Sequence, residues 1–377
     1  MKDHTSFILI PDSFKGTMSS QTVCGVMESA IHVRFPSASV KSIPIADGGE
    51  GTVDALLTAA GGSKQALRVS GPYFDVLDSF YGILSDKTAV IEMAACAGLP
   101  LVGEKLHPDQ TTTYGVGELI ANAVSEGCTK VLLGLGGSAT NDGGCGMAAA
   151  LGVKFYNSNG DVFVPVGGTL KDICRIDDSE FKQKYSSVQF TAMCDIDNPL
   201  CGEHGAAAVF GPQKGADEAM VRLLDDGLYH LAQLIRRDLH RDVLNLSGAG
   251  AAGGMGGGTA GLLGGSLQSG INSILEIVRF DELVQSADCV FTGEGRIDSQ
   301  SLRGKVIAGV ASHTHRYHVP LIAVVGCIGD DISAIYERGV SAVFTINTKP
   351  QTLRESAPDS CKNLALTMDN ILRLLSL

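Results

Sequence analysis

Apolar runs that alternate with segments of helical period, at both ends of the chain, constrain the fold more than any other feature. Near the start, Phe7-Ile8-Leu9-Ile10 has the pattern of a buried strand. A helix is predicted over 21–33, a second strand over 40–45 and a second helix over 52–60. This strand–helix–strand–helix order indicates a parallel sheet, because each helix carries the chain back to the same edge.

The same alternation returns in the last hundred residues. Strands are predicted over 289–292, 321–325 and 342–346, with helices over 275–286, 306–313, 332–338 and 361–375. Two strands near the start and three near the end are the content of a flavodoxin-like doubly wound sheet. We therefore predict an α/β fold in which residues 1–64 plus 276–377 form a discontinuous flavodoxin-like domain.

The middle of the chain, residues 65–275, has a less regular pattern. It is predicted to be a second, mixed α/β domain inserted into the first, with strands over 76–84, 89–93, 130–133 and 188–193. A weak strand is also predicted over 243–246.

Composition excludes some classes of function. The 377 residues contain 29 Lys and Arg against 41 Asp and Glu, giving a net charge of −12. This balance disfavours nucleic acid as a partner, because a phosphate backbone requires clustered cations.

The apolar stretches are short or interrupted, so a membrane span and a signal peptide are not expected and a cytoplasmic location is predicted. The ten Cys contain no C-x-x-C pair, which favours reduced thiols. Monomer and homodimer stay equally open.

Three predicted strands are followed by loops that carry charge. These loops are Asp12-Ser13-Phe14-Lys15-Gly16, Asp47-Gly48-Gly49-Glu50-Gly51-Thr52 and Gly293-Glu294-Gly295-Arg296-Ile297-Asp298. Ligands of doubly wound sheets bind outside the carboxyl ends of the strands. Carboxylates beside Lys and Arg at that edge suit Mg²⁺ and phosphate together. The alternative is that Asp and Gly simply make turns.

A Gly-rich loop over 134–144 follows the strand predicted at 130–133 and precedes an Ala-rich helix. It contains Gly137, Ser138, Asn141 and Asp142. Small residues, hydroxyls and N–H groups at a helix start are typical of an anion site. Close packing of helix on strand, which also requires Gly and Ala, is the alternative.

Further polar candidates lie in the second half of the insertion. Asp195, Asp197 and Asn198 follow a predicted strand and offer oxygen ligands for a hard cation or a substrate hydroxyl. Lys214, in a Gly-bounded loop, could meet phosphate or a carboxylate, and a solvated Lys is equally compatible with the sequence. Residues 248–253 match G-x-G-x-x-G by letter, but no clear βαβ unit surrounds them. A flexible or phosphate-facing loop containing Gly250 and Gly253 is therefore preferred to a dinucleotide site.

Taken in order, these loops closely resemble the bacterial glycerate kinase family, type 1. The resemblance rests on residues 11–16, 46–52, 134–144, 194–200, 210–216, 248–254 and 292–298. It implies an ATP-dependent kinase that transfers the γ-phosphoryl group to glycerate, at the 2-hydroxyl, giving 2-phosphoglycerate. It also implies two domains with the active site in the cleft between them.

The roles of individual residues are hypotheses built on that reaction. Asp47 is the candidate to accept the hydroxyl proton, with Asp195 and Lys15 as further catalytic candidates. Mg²⁺ is assigned to Asp195 with Glu294 or Asp298. Contacts to substrate or phosphate are assigned to Asp12, Ser13, Gly48, Gly49, Gly137, Ser138, Asn141, Asp142, Asn198, Lys214, Gly250, Gly253 and Arg296.

Two other functions stay compatible with the sequence. The chain could be a kinase of a related small hydroxy acid. It could also be a non-catalytic metabolite-binding protein of the same fold, which would explain the Gly-rich loops but would not require so many carboxylates.

Overall fold

The computed structural model describes residues 6–45, 48–298, 306–329 and 331–377. Its strands are β1 (Ser6–Pro11), β2 (Ser39–Ser42), β3 (Gly62–Ser70), β4 (Val76–Leu84), β5 (Thr88–Glu92), β6 (Lys130–Gly134), β7 (Lys154–Tyr156), β8 (Val162–Phe163), β9 (Arg175–Asp177), β10 (Gln189–Met193), β11 (Ser266–Gln268), β12 (Cys289–Gly293), β13 (Arg296–Ile297), β14 (Leu321–Val325), β15 (Cys327–Ile328) and β16 (Ala342–Thr345).

The α-helices of the same ranges are α1 (Ser20–Arg34), α2 (Thr52–Ala60), α3 (Ala94–Ala97), α4 (Leu99–Val102), α5 (Tyr114–Ser125), α6 (Cys145–Ala150), α7 (Ser179–Tyr185), α8 (Ala206–Phe210), α9 (Glu218–Leu239), α10 (Ala251–Gly261), α11 (Gly270–Ile277), α12 (Phe280–Val284), α13 (Val306–Arg316), α14 (Ser333–Glu337), α15 (Leu353–Ser356) and α16 (Ser360–Leu375). Short 3-10 helices lie at Gly167–Asp172, Pro212–Lys214 and Ala357–Asp359.

The described residues pack into two compact units. The first unit draws on 1–46, 58–60 and 269–377, and the second on 47–57 and 61–268. The predicted domain borders, after residues 64 and 275, lie within about twenty residues of the changes between the units. The assignment of these segments as domains stays a prediction.

The first unit is built on a sheet of five parallel strands in the order β2-β1-β12-β14-β16. This is the strand order of flavodoxin-like sheets, and the predicted fold class is confirmed. Strands β12 and β14 are buried along their whole length, as is β1 after its first residue. Their apolar runs therefore fold as central strands, which are covered on both faces.

Helices α1 and α16 cover one face of this sheet together. In α1, the Ser19 hydroxyl accepts the N–H of Thr22 and caps the first turn. Val23, Met27 and Ile31 follow at helical spacing and are fully buried. The buried face of α16 meets them in the same core through Leu364, Met368, Ile371 and Leu372.

The second unit has a six-stranded mixed sheet in the order β11-β10-β6-β5-β4-β3. Strands β11, β10, β6 and β5 are parallel, while β4 and β3 continue the sheet as an antiparallel hairpin. Its core combines residues of β5, β6 and β10 with α5, α6 and α9. The parallel strands bring their carboxyl ends to one edge, where the Gly-rich loop after β6 begins.

The longest helix of the second unit is amphipathic. The Asp217 carboxylate accepts the N–H of Met220 and caps the start of α9, and Leu224, Leu228 and Leu231 form part of its buried face. In the described part of the chain, no helix is long and apolar enough to cross a membrane.

Two predictions in this region are wrong. Residues 243–246 do not form a strand but lie in irregular chain and turn before α10. The helix predicted over 275–286 is divided into α11 and α12 at Arg279, whose φ is 52°. The helical period continued across the break, so the apolar pattern did not reveal it.

Helix α10 is rich in glycine because it packs directly on backbone. A Cβ atom built on Gly258 would lie 2.2 Å from the carbonyl oxygen of Gly143. Near its start, α10 is kinked where Ala252, Gly253 and Gly254 have positive φ, a conformation that the two glycines adopt without strain. The segment was predicted as a flexible or phosphate-facing loop; it is a buried helix, so the flexible alternative is wrong, and contact with phosphate stays a prediction.

Gly258→Ala is expected to lower the free energy of unfolding by about 2–3 kcal/mol, because the added methyl group meets backbone that cannot yield. Gly25→Ala is the matched control, since Gly25 lies at an exposed position of α1 with no atom within 4 Å of an added Cβ. It should stabilise the protein by up to about 1 kcal/mol through helix propensity. Urea denaturation of both variants measures the difference, and equal effects would contradict this account of α10.

Candidate active site

In the first unit, two of the predicted loops are neighbours at the carboxyl ends of adjacent strands. Pro11 at the end of β1 pairs with Gly293 at the end of β12. The N–H of Asp12 donates to the carbonyl oxygen of Gly293 at 2.8 Å. The Asp12 carboxylate accepts the N–H of Ser13 at 2.6 Å. The sheet therefore brings these two charged loops to one place.

The loop after β1 presents Lys15 at the tip of a short turn. Phe14 is buried, and its backbone exchanges two hydrogen bonds with Met18. Lys15 and Gly16 between them are exposed, and Gly16 takes a φ of 79° to complete the turn. A buried aromatic anchor thus holds an accessible ammonium group at the edge of the sheet.

The loop after β12 places three charged residues in different environments. Glu294 is buried, with an exposed fraction of 6%. Arg296 is exposed, and its Nε lies 3.5 Å from Oδ2 of the half-buried Asp298. The short pairing of β13 with β15 fixes the backbone here. The accessible guanidinium is suited to a carboxylate or a phosphate oxygen.

In the second unit, Gly48 and Gly49 pack against the loop after β6. The N–H of Gly136 donates to the carbonyl oxygen of Gly48 at 3.0 Å. A Cβ on Gly134 would lie 2.4 Å from the same oxygen, so the two backbones meet without side chains between them. Asp47, the candidate base, lies outside the described residues, and its role stays a prediction.

Glu92 is a residue of this edge that the sequence interpretation missed. It ends β5, is 1% exposed, and accepts the N–H of Val53 at 2.6 Å through Oε1. Burial is the main cause that raises the pKa of this carboxyl. Glu92 thereby caps the start of α2, directly after the Gly48–Gly51 loop. The available signal was a single acid at the end of an otherwise apolar run.

The Gly-rich loop after β6 is mostly interior. Gly137 is exposed and Ser138 is 8% exposed, whereas Asn141 and Asp142 are fully buried. Only the first part of the loop therefore offers a surface to a ligand in this conformation. Close packing describes the buried half, and an anion site at the exposed half stays a prediction.

Asp142 organises the buried half of the loop. Its carboxylate accepts hydrogen bonds from the N–H and the hydroxyl of Thr113, both at 2.8 Å, and from the N–H groups of Gly144 and Gly146. Burial raises the pKa of Asp142 despite these donors. The structure gives Asp142 a structural task that was not foreseen when it was predicted to contact substrate.

Lys214 ends the 3-10 helix Pro212–Lys214 and contacts the same loop. It is 2% exposed, and its Nζ donates to Ser138 Oγ at 3.0 Å and to the carbonyl oxygen of Thr140 at 2.7 Å. Burial lowers the pKa of Lys214 to about 7, with Asp142 acting in the opposite direction. The alternative of a solvated Lys is therefore wrong.

Two glycines predicted to face phosphate have a packing reason of their own. A Cβ on Gly250 would lie 2.3 Å from the carbonyl oxygen of Pro199, and one on Gly253 would lie 1.9 Å from that of Thr140. Beside them, the amide of Asn141 has no hydrogen-bond partner for either Nδ2 or Oδ1 among the described residues. Contact of Gly250, Gly253 or Asn141 with a ligand stays a prediction.

The loop after β10 carries the exposed carboxylates. Asp195 and Asp197 are exposed, and Asn198 is half-buried with its Nδ2 donating to the carbonyl oxygen of His204 at 2.9 Å. Across the described ranges, no three His, Cys, Asp or Glu residues are grouped so that they could hold a metal ion. The assignment of Mg²⁺ to Asp195, Glu294 and Asp298 stays a prediction.

Asp142→Asn should lower the free energy of unfolding by about 2–4 kcal/mol, because an amide offers one acceptor oxygen to four donors and leaves buried groups unpaired. Chemical denaturation measures the loss. Asp172→Asn, at an exposed position, is the control and should change stability by less than about 0.5 kcal/mol. Equal stability of the two variants would refute the structural task assigned to Asp142.

Comparison with known proteins agrees with the geometry. Residues 7–376 match a family model described as the glycerate kinase family. A glycerate kinase of Bacillus cereus is 46% identical over 366 residues, covering 97% of this chain and 96% of that protein. A glycerate 2-kinase of Escherichia coli is 42% identical over 372 residues, covering 98% of each. A crystal structure from Salmonella typhimurium, assigned as a glycerate kinase 2, superposes with a TM-score of 0.87 at 39% identity, covering 99% of this chain and 98% of that one. The resemblance found in the sequence is confirmed.

Proposed function

The chain belongs to the glycerate kinase family, and on that premise we propose that it transfers the γ-phosphoryl group of ATP to glycerate. The observation that carries the proposal is the alignment over 98% of the chain with a relative named glycerate 2-kinase. We accordingly assign the reaction to the 2-hydroxyl, with 2-phosphoglycerate and ADP as products.

Two groups of residues are proposed to bind the reactants. In the first unit, Lys15 and Arg296 supply accessible positive charge. Asp12 and Ser13 lie in the same loop as Lys15, beside the end of β12. Gly137 and Ser138 supply the accessible part of the Gly-rich loop in the second unit. Phosphoryl transfer depends on positioning and on neutralising the phosphate oxygens, which such groups can do. That both groups serve one reaction is part of the proposal.

Mg²⁺ is proposed to bind with the nucleotide. In proteins this ion is usually held by one or two carboxylates together with phosphate oxygens and water, so a preformed group of three acids is not required. The exposed Asp195 carboxylate fits this chemistry as a donor, with Glu294 and Asp298 as the further candidates. When bound, the ion would neutralise charge on the phosphate oxygens.

The proposed step is an in-line displacement. The 2-hydroxyl oxygen of glycerate forms a bond to the γ-phosphorus while the bond from that phosphorus to the β,γ-bridging oxygen breaks and leaves ADP. The hydroxyl proton passes to the carboxylate of Asp47, the candidate base, and from there to water. The remaining side chains orient the reactants and hold the charge of the transferred group.

The function is tested by identifying the product of purified protein, glycerate, ATP and Mg²⁺ by ³¹P and ¹³C NMR. Formation of 2-phosphoglycerate is expected. A panel of other small hydroxy acids serves as the comparison and separates glycerate kinase from a kinase of a related acid. Consumption of none of these acids would refute the proposal and favour a non-catalytic binding protein.

Asp47→Asn is expected to reduce kcat by at least about 100-fold, because the amide cannot accept the hydroxyl proton. Asp54→Asn is the control, since Asp54 follows shortly after Asp47 along the chain, on α2, and its side chain is 64% exposed. Steady-state kinetics with glycerate and ATP measure both variants, and thermal unfolding checks that they fold. A kcat within a few-fold of the wild type would remove Asp47 as the base.

A further inference from the structure

The hydrogen bonds that the Ser138 hydroxyl accepts are shorter than the contacts to which it could donate its own proton. Its oxygen accepts the Lys214 ammonium at 3.0 Å and the N–H of Thr140 at 3.2 Å. The remaining neighbours of the hydroxyl group are the Thr140 carbonyl oxygen at 3.4 Å and the Thr140 hydroxyl at 3.3 Å. Both are well beyond the usual 2.7–2.8 Å between oxygens in a hydroxyl hydrogen bond.

This distribution decides what Ser138 can offer to a ligand. An ammonium group only donates, so Lys214 cannot receive the Ser138 proton while it is charged. The two lone pairs of the Ser138 oxygen are taken by the two donors. Among the described residues, the hydroxyl proton has only the longer contacts to Thr140. All three residues are buried, but Ser138 keeps the largest exposed fraction, 8%, and adjoins the exposed Gly137. Ser138 is therefore the member of this network that lies next to the exposed part of the loop.

We propose that Lys214 is a positioning residue that makes the Ser138 hydroxyl an obligatory hydrogen-bond donor to an anionic oxygen of a reactant. The inference rests on the proposed function and specifies how that site selects its ligand. The chemistry recognised is a carboxylate or phosphate oxygen, which accepts and does not donate. Glycerate and ATP both carry such oxygens, and the experiment below separates them.

The charges around Lys214 support this arrangement. Asp142, on the same loop as Ser138, is the charged side chain whose electrostatic field acts on this ammonium, while Ser138 and Thr140 themselves are neutral. Asp142 already accepts four hydrogen bonds. An anion at Ser138 would add a second negative charge near a desolvated cation, which strengthens both binding and the protonated state of Lys214.

Loss of the Lys214 proton should reverse the effect. The neutral amine has a lone pair that can accept the Ser138 proton, so the hydroxyl turns inward and no longer faces the ligand. Burial lowers the pKa of Lys214 to about 7. Below that pH the amine is charged and Ser138 faces outward, and above it the outward donor is progressively lost. Anion binding should therefore take up protons when measured just above pH 7.

The test is calorimetric binding of glycerate alone and of ATP alone, from pH 6 to pH 9, in two buffers of different ionisation enthalpy. In the wild type we expect one of the two ligands to lose up to about tenfold in affinity per pH unit above about pH 7 and to bind with proton uptake. The ligand that shows this behaviour is the one held by Ser138. Absence of both effects for both ligands would overturn the inference.

Ser138→Ala is the decisive variant, because it removes the donor and retains Lys214. It should weaken that ligand at pH 6 by at least about tenfold, the usual worth of a hydrogen bond to a charged group, and reduce the pH dependence and the proton uptake to the part that comes from the charge of Lys214 alone. Affinity for the other ligand is the internal control. Wild-type pH dependence in this variant would refute the role given to Ser138.

Lys214→Met and Lys214→Arg complete the experiment. Methionine removes the cation as well, so Lys214→Met should weaken the ligand at least as much as Ser138→Ala. Adding Ser138→Ala to it should cost less than Ser138→Ala alone, because the two residues share one hydrogen bond. Arginine stays charged and should flatten the pH profile while keeping the pH 6 affinity. Thermal unfolding identifies any variant that fails to fold, and Ser138→Ala then carries the test. Binding is measured without turnover, so failure of the NMR product assay would reject the proposed function and leave these results interpretable.

Discussion

Direct contact between backbone segments is the constraint on which the second unit depends. The loop after β6 lies between Gly48 on one side and the glycines of α10 on the other, with carbonyl oxygens where side chains would normally stand. A Cβ on Gly258 or on Gly134 would come within 2.5 Å of a backbone oxygen. Such contact fixes the loop more rigidly than side-chain packing, because backbone atoms cannot change rotamer. The abundance of glycine in this chain therefore reflects close packing as well as access for ligands.

That packing leaves polar groups in the interior, and the structure satisfies them with charge. Asp142 gathers donors from Thr113 and from the start of α6, while Lys214 gathers acceptors from Ser138 and Thr140. Burying two ionisable groups is costly unless each is well hydrogen-bonded. A hydrophobic interior would avoid this cost but would leave the polar backbone and hydroxyl groups of the loop without partners.

That two of the candidate loops are neighbours could be anticipated, because residues at the ends of parallel strands must collect at one edge of a sheet. Asp12 and Gly293 were predicted on that basis, and the structure joins them by a hydrogen bond of 2.8 Å. Burial within a loop could not be anticipated. Asn141 and Gly137 belong to one Gly-rich motif, yet one is enclosed and the other exposed. Glu92 was missed because it accepts the N–H of Val53, which is distant along the chain, and no residue near Glu92 in the sequence indicates that hydrogen bond.

The sequence by itself determined the alternation of strands and helices, the parallel doubly wound sheet of the first unit, and the family, since these follow from local period and from motifs in order. Only the tertiary structure decided which polar residues are accessible and what each one contacts. Lys214 is the clearest case, because an ammonium in a Gly-bounded loop looks the same in sequence whether water or Ser138 surrounds it. Burial and hydrogen bonding depend on segments that are distant along the chain, and no local pattern records them.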